Sequence, residues 1–207
     1  WRPGSIVTDV GSVKGPVLAG IRPALSNAGV FFIGSHPMAG TEKSGLDNAK
    51  EDLYDGAVVF VTQVAGDDAA ARETVCSFWR RLTMVPHVLN PDTHDMLVAR
   101  TSHVLHLLSY GAAHAYLAGE KSHLATGGGF RDFTRIAGSS PDMWTEILEK
   151  NRGHVLEALD EFVEEIDCLR TFIANSNWDA IKQYLTEARE RRNSWVAQWT
   201  QRRGGRS

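Results

Sequence analysis

An α/β portion that closes near residue 90, followed by an all-helical portion, is the architecture this chain predicts, and three observations predict it. Before residue 90, short β-branched or aromatic runs, "SIVTDV", "GVFFIGS" and "GAVVFVTQ", are separated by polar or helix-compatible segments, the pattern of parallel or mixed α/β layering. After residue 90, apolar residues recur at helical spacing over long stretches. With 207 residues, 43% hydrophobic and 23% charged, the chain can bury a core as one large domain or two small ones.

The elements follow in order. The chain opens "WRPGSIVTDVGSVKG" without Met, and its first apolar run reads as an interior strand of something larger. The second and third runs are strands by the same composition. Residues 67–83, "DDAAARETVCSFWRRLT", start acidic and finish basic, which suits a helix dipole, and "MVPHVLN" reads as a last strand. Residues 91–119 read as one helix, with Pro91 in its first turn and Gly119 at its end, about 40 Å long at about 1.5 Å per residue. "SSPDMWTEILEKNRGHVLEALDEFVEEIDCLRTFIAN" predicts another helix, opening at Ser140 with Pro141 at the first position, and "NWDAIKQYLTEARERRNSWVAQW" predicts a further one. The domains expected are therefore 1–90 and 91–207. The helices of the second carry more apolar surface than one thin α/β layer covers, so a homodimer through the helical half is expected.

Composition removes several function classes. A net charge of -3 and a pI near 6.3 give no polyanion-binding signature, and the basic tail reads as a fraying helix end, so no nucleic-acid partner is expected. Cys76 and Cys168 lie far apart without a CxxC, which predicts neither a disulfide framework nor a zinc site and fits a reducing, cytoplasmic setting. There is no apolar run of membrane-spanning length and no signal-peptide pattern at the start, so no membrane is expected.

Four clusters could carry chemistry. His36 follows an apolar run directly, at the strand end where open α/β sheets place ligands, and Pro37 restricts its backbone. The loop after it holds Gly40, Thr41, Glu42 and Gly45, able to approach a ligand closely or simply to start a helix. In "TDVGSVKG", Ser12 offers a hydroxyl and Lys14 a charge for an anion, although a strand-to-helix turn with a capping serine explains the same residues. His103 and His106 share a helix face; without further ligands they predict no metal. "GGGFRDFTRIAGSSPDMW" places Arg131, Asp132 and Arg135 together: an arginine there can fork onto a carboxylate, or Asp132 and Arg135 can form an intrahelical ion pair.

Taken in order, "DVGSVK", "GSHPMAGTEKSG", "SHVLHLL" and "GGGFRDFTRIAGSSPDMW" resemble the prephenate and arogenate dehydrogenases of tyrosine biosynthesis, over about residues 5 to 155. The resemblance implies a Rossmann-type nucleotide-binding domain, of which residues 1–90 would be the later part, joined to a helical substrate-binding and dimerisation domain. It implies oxidative decarboxylation of prephenate or arogenate with hydride transfer to NAD or NADP. His36 then corresponds to the catalytic histidine that takes the ring hydroxyl proton, and a neutral imidazole with an ordinary pKa near 6.5 would govern the acidic limb of the rate if its surroundings are mild. Ser12 corresponds to the serine contacting the same hydroxyl and the nicotinamide side, with Asp9 and Lys14 also on the cofactor side. Thr41, Glu42, His103, His106, Asp132 and Arg135 correspond to residues of the substrate pocket, Arg135 as the carboxylate binder. Trp144 corresponds to a residue that reaches the site from the partner subunit. The GxGxxG fingerprint of the family is not in this sequence. That leaves a second reading open, a catalytically silent dimer binding an aromatic metabolite or a protein through its helical domain.

Overall fold

In the computed structural model, residues 1–40, 45, 47, 49–119 and 121–204 are described. The first apolar run folds as β1 (Ile6–Val7), then α1 (Gly15–Asn27) carries Pro16 in its first turn. β2 (Phe31–Phe32) returns parallel to β1, with Ile6 opposite Phe31. The single strand expected from "GVFFIGS" is interrupted at Gly34, and the chain changes sheets there. β3 (Ser35–Pro37) lies antiparallel to β4 (Val58–Thr62), with His36 opposite Phe60, and β5 (Val85–Leu89) lies parallel to β4. His36 is therefore inside a short strand rather than just beyond a strand's end.

Glycine at 34 has a steric cause. Its N–H donates to Thr62 Oγ1 at 3.0 Å, its carbonyl accepts from Thr62 N at 2.8 Å, and an added Cβ would lie 2.9 Å from Thr62 Oγ1 and 3.2 Å from Leu18 Cδ1. α2 (Ala69–Arg81) begins where the Asp68 carboxylate accepts the Ala71 N–H at 2.7 Å, as an N-cap does. Its Val75, Cys76 and Trp79 join Ile33, Val59, Val61 and Met84 in the core. The Trp79 indole N–H also donates to Ser35 Oγ at 3.0 Å, so this core helix fixes the residue next to His36.

The mostly helical portion begins at α3 (Pro91–Val98), capped by the Asn90 side chain on the Thr93 N–H. It continues through a π-helical turn, Ala99–His103, into α4 (Val104–Tyr116). The helix expected over 91–119 is thus continuous to Tyr116 but carries an inserted wide turn. A 3₁₀ turn follows at Ser122–Ala125, then α5 (Gly128–Thr134), a second 3₁₀ turn at Arg135–Gly138, and α6 (Pro141–Lys150) capped by Ser140. The helix expected from Ser140 onward is broken at Asn151, after which α7 (Arg152–Ala174) and α8 (Trp178–Gly204) complete the chain.

Residues Trp1–Ala158 form one compact unit and Leu159–Ser207 another, a division placed differently from the break read near residue 90. Hydrogen bonds that cross residue 90, described below, account for the first unit's extent. In the second unit, Tyr184 of α8 donates its hydroxyl to Glu165 Oε2 of α7 at 2.6 Å. No helix among the described residues is long and apolar enough to cross a membrane.

Candidate active site

The turn between β1 and α1 is closed by Asp9. Its carboxylate accepts from Gly11 N and Ser35 N, each at 3.0 Å, and pairs with the Lys14 ammonium. That ammonium also donates to the Ser35 carbonyl at 2.7 Å and is fully buried. Burial pulls the Lys14 pKa below the usual lysine value, an effect only partly offset by the hydrogen bond and charge of Asp9 and the charge of Asp95. Half-buried Ser12 lies on the same turn, between Asp9 and Lys14, which hold Ser35 next to His36. Asp9 and Lys14 are engaged with each other and with Ser35, because a buried ammonium needs a carboxylate and an acceptor close by. Neither is presented to an outside anion.

Lys14 and Gly15 start α1 without a side-chain cap from their own segment. The cap comes from Asp95 of α3 instead: Oδ1 accepts the Lys14 N–H and Oδ2 the Gly15 N–H, both at 2.8 Å. A carboxylate is well placed on a helix N-terminus, where free N–H groups and the dipole favour negative charge. Burial alone would raise the Asp95 pKa, yet the hydrogen bond from His94 and the two backbone N–H donors outweigh it and hold the carboxyl below its ordinary value.

His36 meets this arrangement through its ring. Its Nδ1 lies 2.8 Å from His94 Nε2, and His94 Nδ1 lies 2.7 Å from Asp95 Oδ1. His94 is fully buried, edge-on to His36 with ring centroids 5.0 Å apart and edge-on to Phe60 at 5.3 Å. Burial first, then the neighbouring His94, Lys14 and His103, pushes the His36 imidazole down to about 3, against a smaller opposing pull from Asp95. The mild surroundings assumed for an acidic limb near 6.5 are therefore absent.

A second histidine pair adjoins the first. The Asn151 amide donates to the Asp95 carbonyl at 2.8 Å and to His103 Nδ1 at 3.1 Å, and buried His103 is depressed to about 4, chiefly by burial. His106 Nδ1 donates to the Ser102 carbonyl at 2.9 Å, which leaves Nε2 as the acceptor. Its pKa is lowered by burial, with Arg135 adding to the effect, so the structure brings Arg135 within electrostatic reach of His106. Trp144 stacks on His106 at 3.6 Å and packs edge-on to His103 at 5.8 Å. At 6% exposure it is buried in its own chain, and its indole N–H has no acceptor there. Asp132 is exposed and paired with Arg131 at 3.0 Å. Thr41 and Glu42 lie outside the described residues.

His94, Asp95 and Asn151 were not singled out in the sequence. Their signal was present as adjacent polar residues, "HD", on an otherwise apolar helix face, and as an asparagine inside a long helical pattern. Among the described residues no group of three or more His, Cys, Asp or Glu side chains could hold a metal ion.

A dinucleotide needs free backbone N–H groups at a helix N-terminus for its pyrophosphate. Those at the start of α1 are taken by Asp95, and the Lys14 ammonium is taken by Asp9 and Ser35. The start of α1 is therefore not the place for the phosphate end of such a cofactor; what the described residues assemble is a cluster of imidazoles with an arginine at its side.

Comparison with known proteins shows the family. Residues 2–86 match the family model described as prephenate dehydrogenase, nucleotide-binding domain, and residues 90–187 match that described as prephenate dehydrogenase, dimerization domain. The chain is 33% identical over 192 residues to the prephenate dehydrogenase of Bacillus subtilis, covering 91% of this chain and 52% of the relative. It is 31% identical to the cyclohexadienyl dehydrogenase of Zymomonas mobilis, over 90% of this chain and 65% of that one. It thus spans about half to two thirds of these relatives' lengths. Among solved structures, the prephenate dehydrogenase of Aquifex aeolicus in complex with hydroxyphenyl propionate and NAD+ superposes with a TM-score of 0.81 at 31% identity, covering 91% of this chain and 66% of that one. The arogenate dehydrogenase of Synechocystis gives 0.77 at 30% identity, covering 92% and 69%. With its sequence and its fold in agreement, the chain belongs to the prephenate and arogenate dehydrogenase family.

Proposed function

We propose that this protein carries the substrate side of an NAD(P)-dependent oxidative decarboxylation, in which prephenate or arogenate becomes 4-hydroxyphenylpyruvate or tyrosine. The observation that carries the reading is His36: an imidazole kept neutral at cellular pH, beside the turn that bears Ser12 and next to the His103, His106 and Arg135 group. As hydride leaves the carbinol carbon, the ring hydroxyl becomes strongly acidic, so even a weakly basic imidazole can take its proton. Loss of CO2 then makes the ring aromatic and leaves a phenolate oxygen, to which the same proton returns. Ser12 is the second group offered to that hydroxyl. Arg135 is offered to a substrate carboxylate, with His103, His106, Trp144, Thr41, Glu42 and Asp132 lining or flanking the pocket. NAD or NADP supplies the hydride acceptor.

The functional division is proposed near residue 90, with 1–90 the later part of the nucleotide-binding domain and 91–207 helical; the family-model matches, which meet between residues 86 and 90, support it. A homodimer through the helical part is proposed too, supported by the match to a dimerization domain and by the exposed Val163, Ile166, Ile173 and Leu185 on α7 and α8. A cytoplasmic setting is supported by two free cysteines, Cys76 and Cys168.

The other reading is a dimer that binds an aromatic metabolite without turnover. The two readings part in a single assay. The full gene product, given prephenate or arogenate with NAD+ or NADP+, is expected to produce reduced nicotinamide and CO2 together. Tight substrate binding with no reduction of either nucleotide would favour the silent dimer.

A further inference from the structure

We infer that His94 and Asp95 are positioning residues that hold His36 in the tautomer with its proton on Nδ1, leaving Nε2 as a bare acceptor. The inference rests on the proposed reaction only for what that acceptor does. The hydrogen-bond chain itself follows from donors and acceptors on the page.

Asp95 fixes the chain's direction. Both of its carboxylate oxygens already accept a backbone N–H, from Lys14 and from Gly15, and its pKa is lowered, so it is ionised and can only accept. The His94 Nδ1 that meets Oδ1 at 2.7 Å must therefore carry a proton. In a neutral His94 ring the other nitrogen, Nε2, is then an acceptor, and the atom it meets at 2.8 Å, His36 Nδ1, must be the donor. With the proton of a neutral His36 ring committed to Nδ1, its Nε2 holds a free lone pair. With both rings neutral, each link has one arrangement, because any other sets two donors or two acceptors against each other, at the cost of an unsatisfied polar group.

The surroundings support the same order. The groups facing the pair are Asp95 on α3, Lys14 on the turn before α1, His103 at the end of the π-helical turn, and the Phe60 ring on β4. The Lys14 ammonium, directed to Asp9 and Ser35, does not compete for the Asp95 carboxylate oxygens. Asp95 is itself fixed, its side chain on the first turn of α1 and its carbonyl on the Asn151 amide. In the proposed reaction this geometry lets His36 Nε2 take the hydroxyl proton as the O–H bond breaks. The resulting imidazolium keeps its Nδ1–H on His94, whose own Nδ1–H remains on the Asp95 carboxylate. When the proton returns to the phenolate oxygen the starting tautomer is restored, so the cycle neither gains nor loses a proton at these residues.

The test is a ring-nitrogen NMR spectrum of the ¹⁵N-histidine-labelled full gene product, joined to kinetics of two variants. In the parent, His36 is expected to show a protonated Nδ1 and an unprotonated Nε2, opposite to the Nε2–H form that free neutral histidine prefers. A protonated Nε2 on His36 in the parent would overturn the inference without any variant. In His94→Leu the His36 signals should revert toward the Nε2–H form, and kcat should fall by about 10²- to 10³-fold with KM changed far less. In His94→Gln the side-chain oxygen can still accept from Nδ1–H, so the parent tautomer and at least about a tenfold part of the lost rate should return. A Leu variant with parental rate and tautomer, or a Gln variant that restores neither, would contradict the inference. The spectrum needs no substrate, so the expected tautomer in a protein that reduces no nucleotide would uphold the positioning role and remove the proposed reaction instead.

Discussion

His36 owes its weak basicity to its neighbours, and that sets how its site should respond to change. A half-buried imidazole beside a second imidazole, an ammonium and a third histidine resists a proton until the pH is far below 6.5. Arg135 serves differently, as a charge near His106 that is present whether or not reaction occurs. If it holds a substrate carboxylate in both ground and transition states, Arg135→Gln in the full gene product should raise KM by about tenfold or more while kcat changes little. An unchanged KM would remove it from the pocket. At this scale the sequence was partly legible. His36 stood out because an apolar run ended on it and a glycine-rich loop followed. His94 did not, because a histidine in the first turns of an amphipathic helix looks the same from outside whether it faces solvent or another ring.

Two interruptions of regular structure place the site, and neither was visible as periodicity. The π-helical turn at Ala99–His103 inserts an extra residue into a helix whose apolar pattern reads as continuous, and it ends on His103, one of the clustered histidines. The break at Asn151 separates α6 from α7, and the amide it frees bridges the Asp95 carbonyl and His103. An asparagine within a long amphipathic stretch costs a helix only a few tenths of a kcal/mol, so propensity gave no reason to end the helix there. Removing this buried amide leaves His103 Nδ1 without its donor and takes from the Asp95 carbonyl one of two, the other being the Ala99 N–H. Asn151→Ala should therefore destabilise the protein by about 1–3 kcal/mol, seen as a lower denaturant midpoint with little change in slope. An unshifted midpoint would mean that water replaces the amide at no cost. The strands fared better: all three apolar runs became strands, but Gly34 split the second between two ladders, a consequence of its contact with Thr62 that no local pattern encodes.

For the molecule as a whole, the break near residue 90 was read from a change in pattern, whereas the compact units divide at Ala158. The difference has a named cause: Asp95 caps α1 from beyond residue 90, and Asn151 ties α6 back to α3. The site stands on both sides of residue 90, with His36, Ser12 and Lys14 before it and His94, Asp95, His103, His106 and Trp144 after it. Exposed apolar residues on α7 and α8 add an expectation of assembly. Sedimentation of this chain at micromolar concentration should give twice its 22.8 kDa mass, and a monomer would count against the proposed dimer. The most direct test of the catalytic assignment is kcat against pH for the full gene product and its His36→Asn variant. In the parent, kcat should stay level as pH falls through 6.5 and decline only well below it, since the neutral imidazole is the working form and its pKa is depressed toward about 3. His36→Asn should keep KM roughly intact, because the amide can still hydrogen-bond the hydroxyl, yet lower kcat by about 10²- to 10⁴-fold and abolish the acidic limb. Turnover by the variant at the parental rate, with the acidic limb retained, would show that His36 is not the proton acceptor.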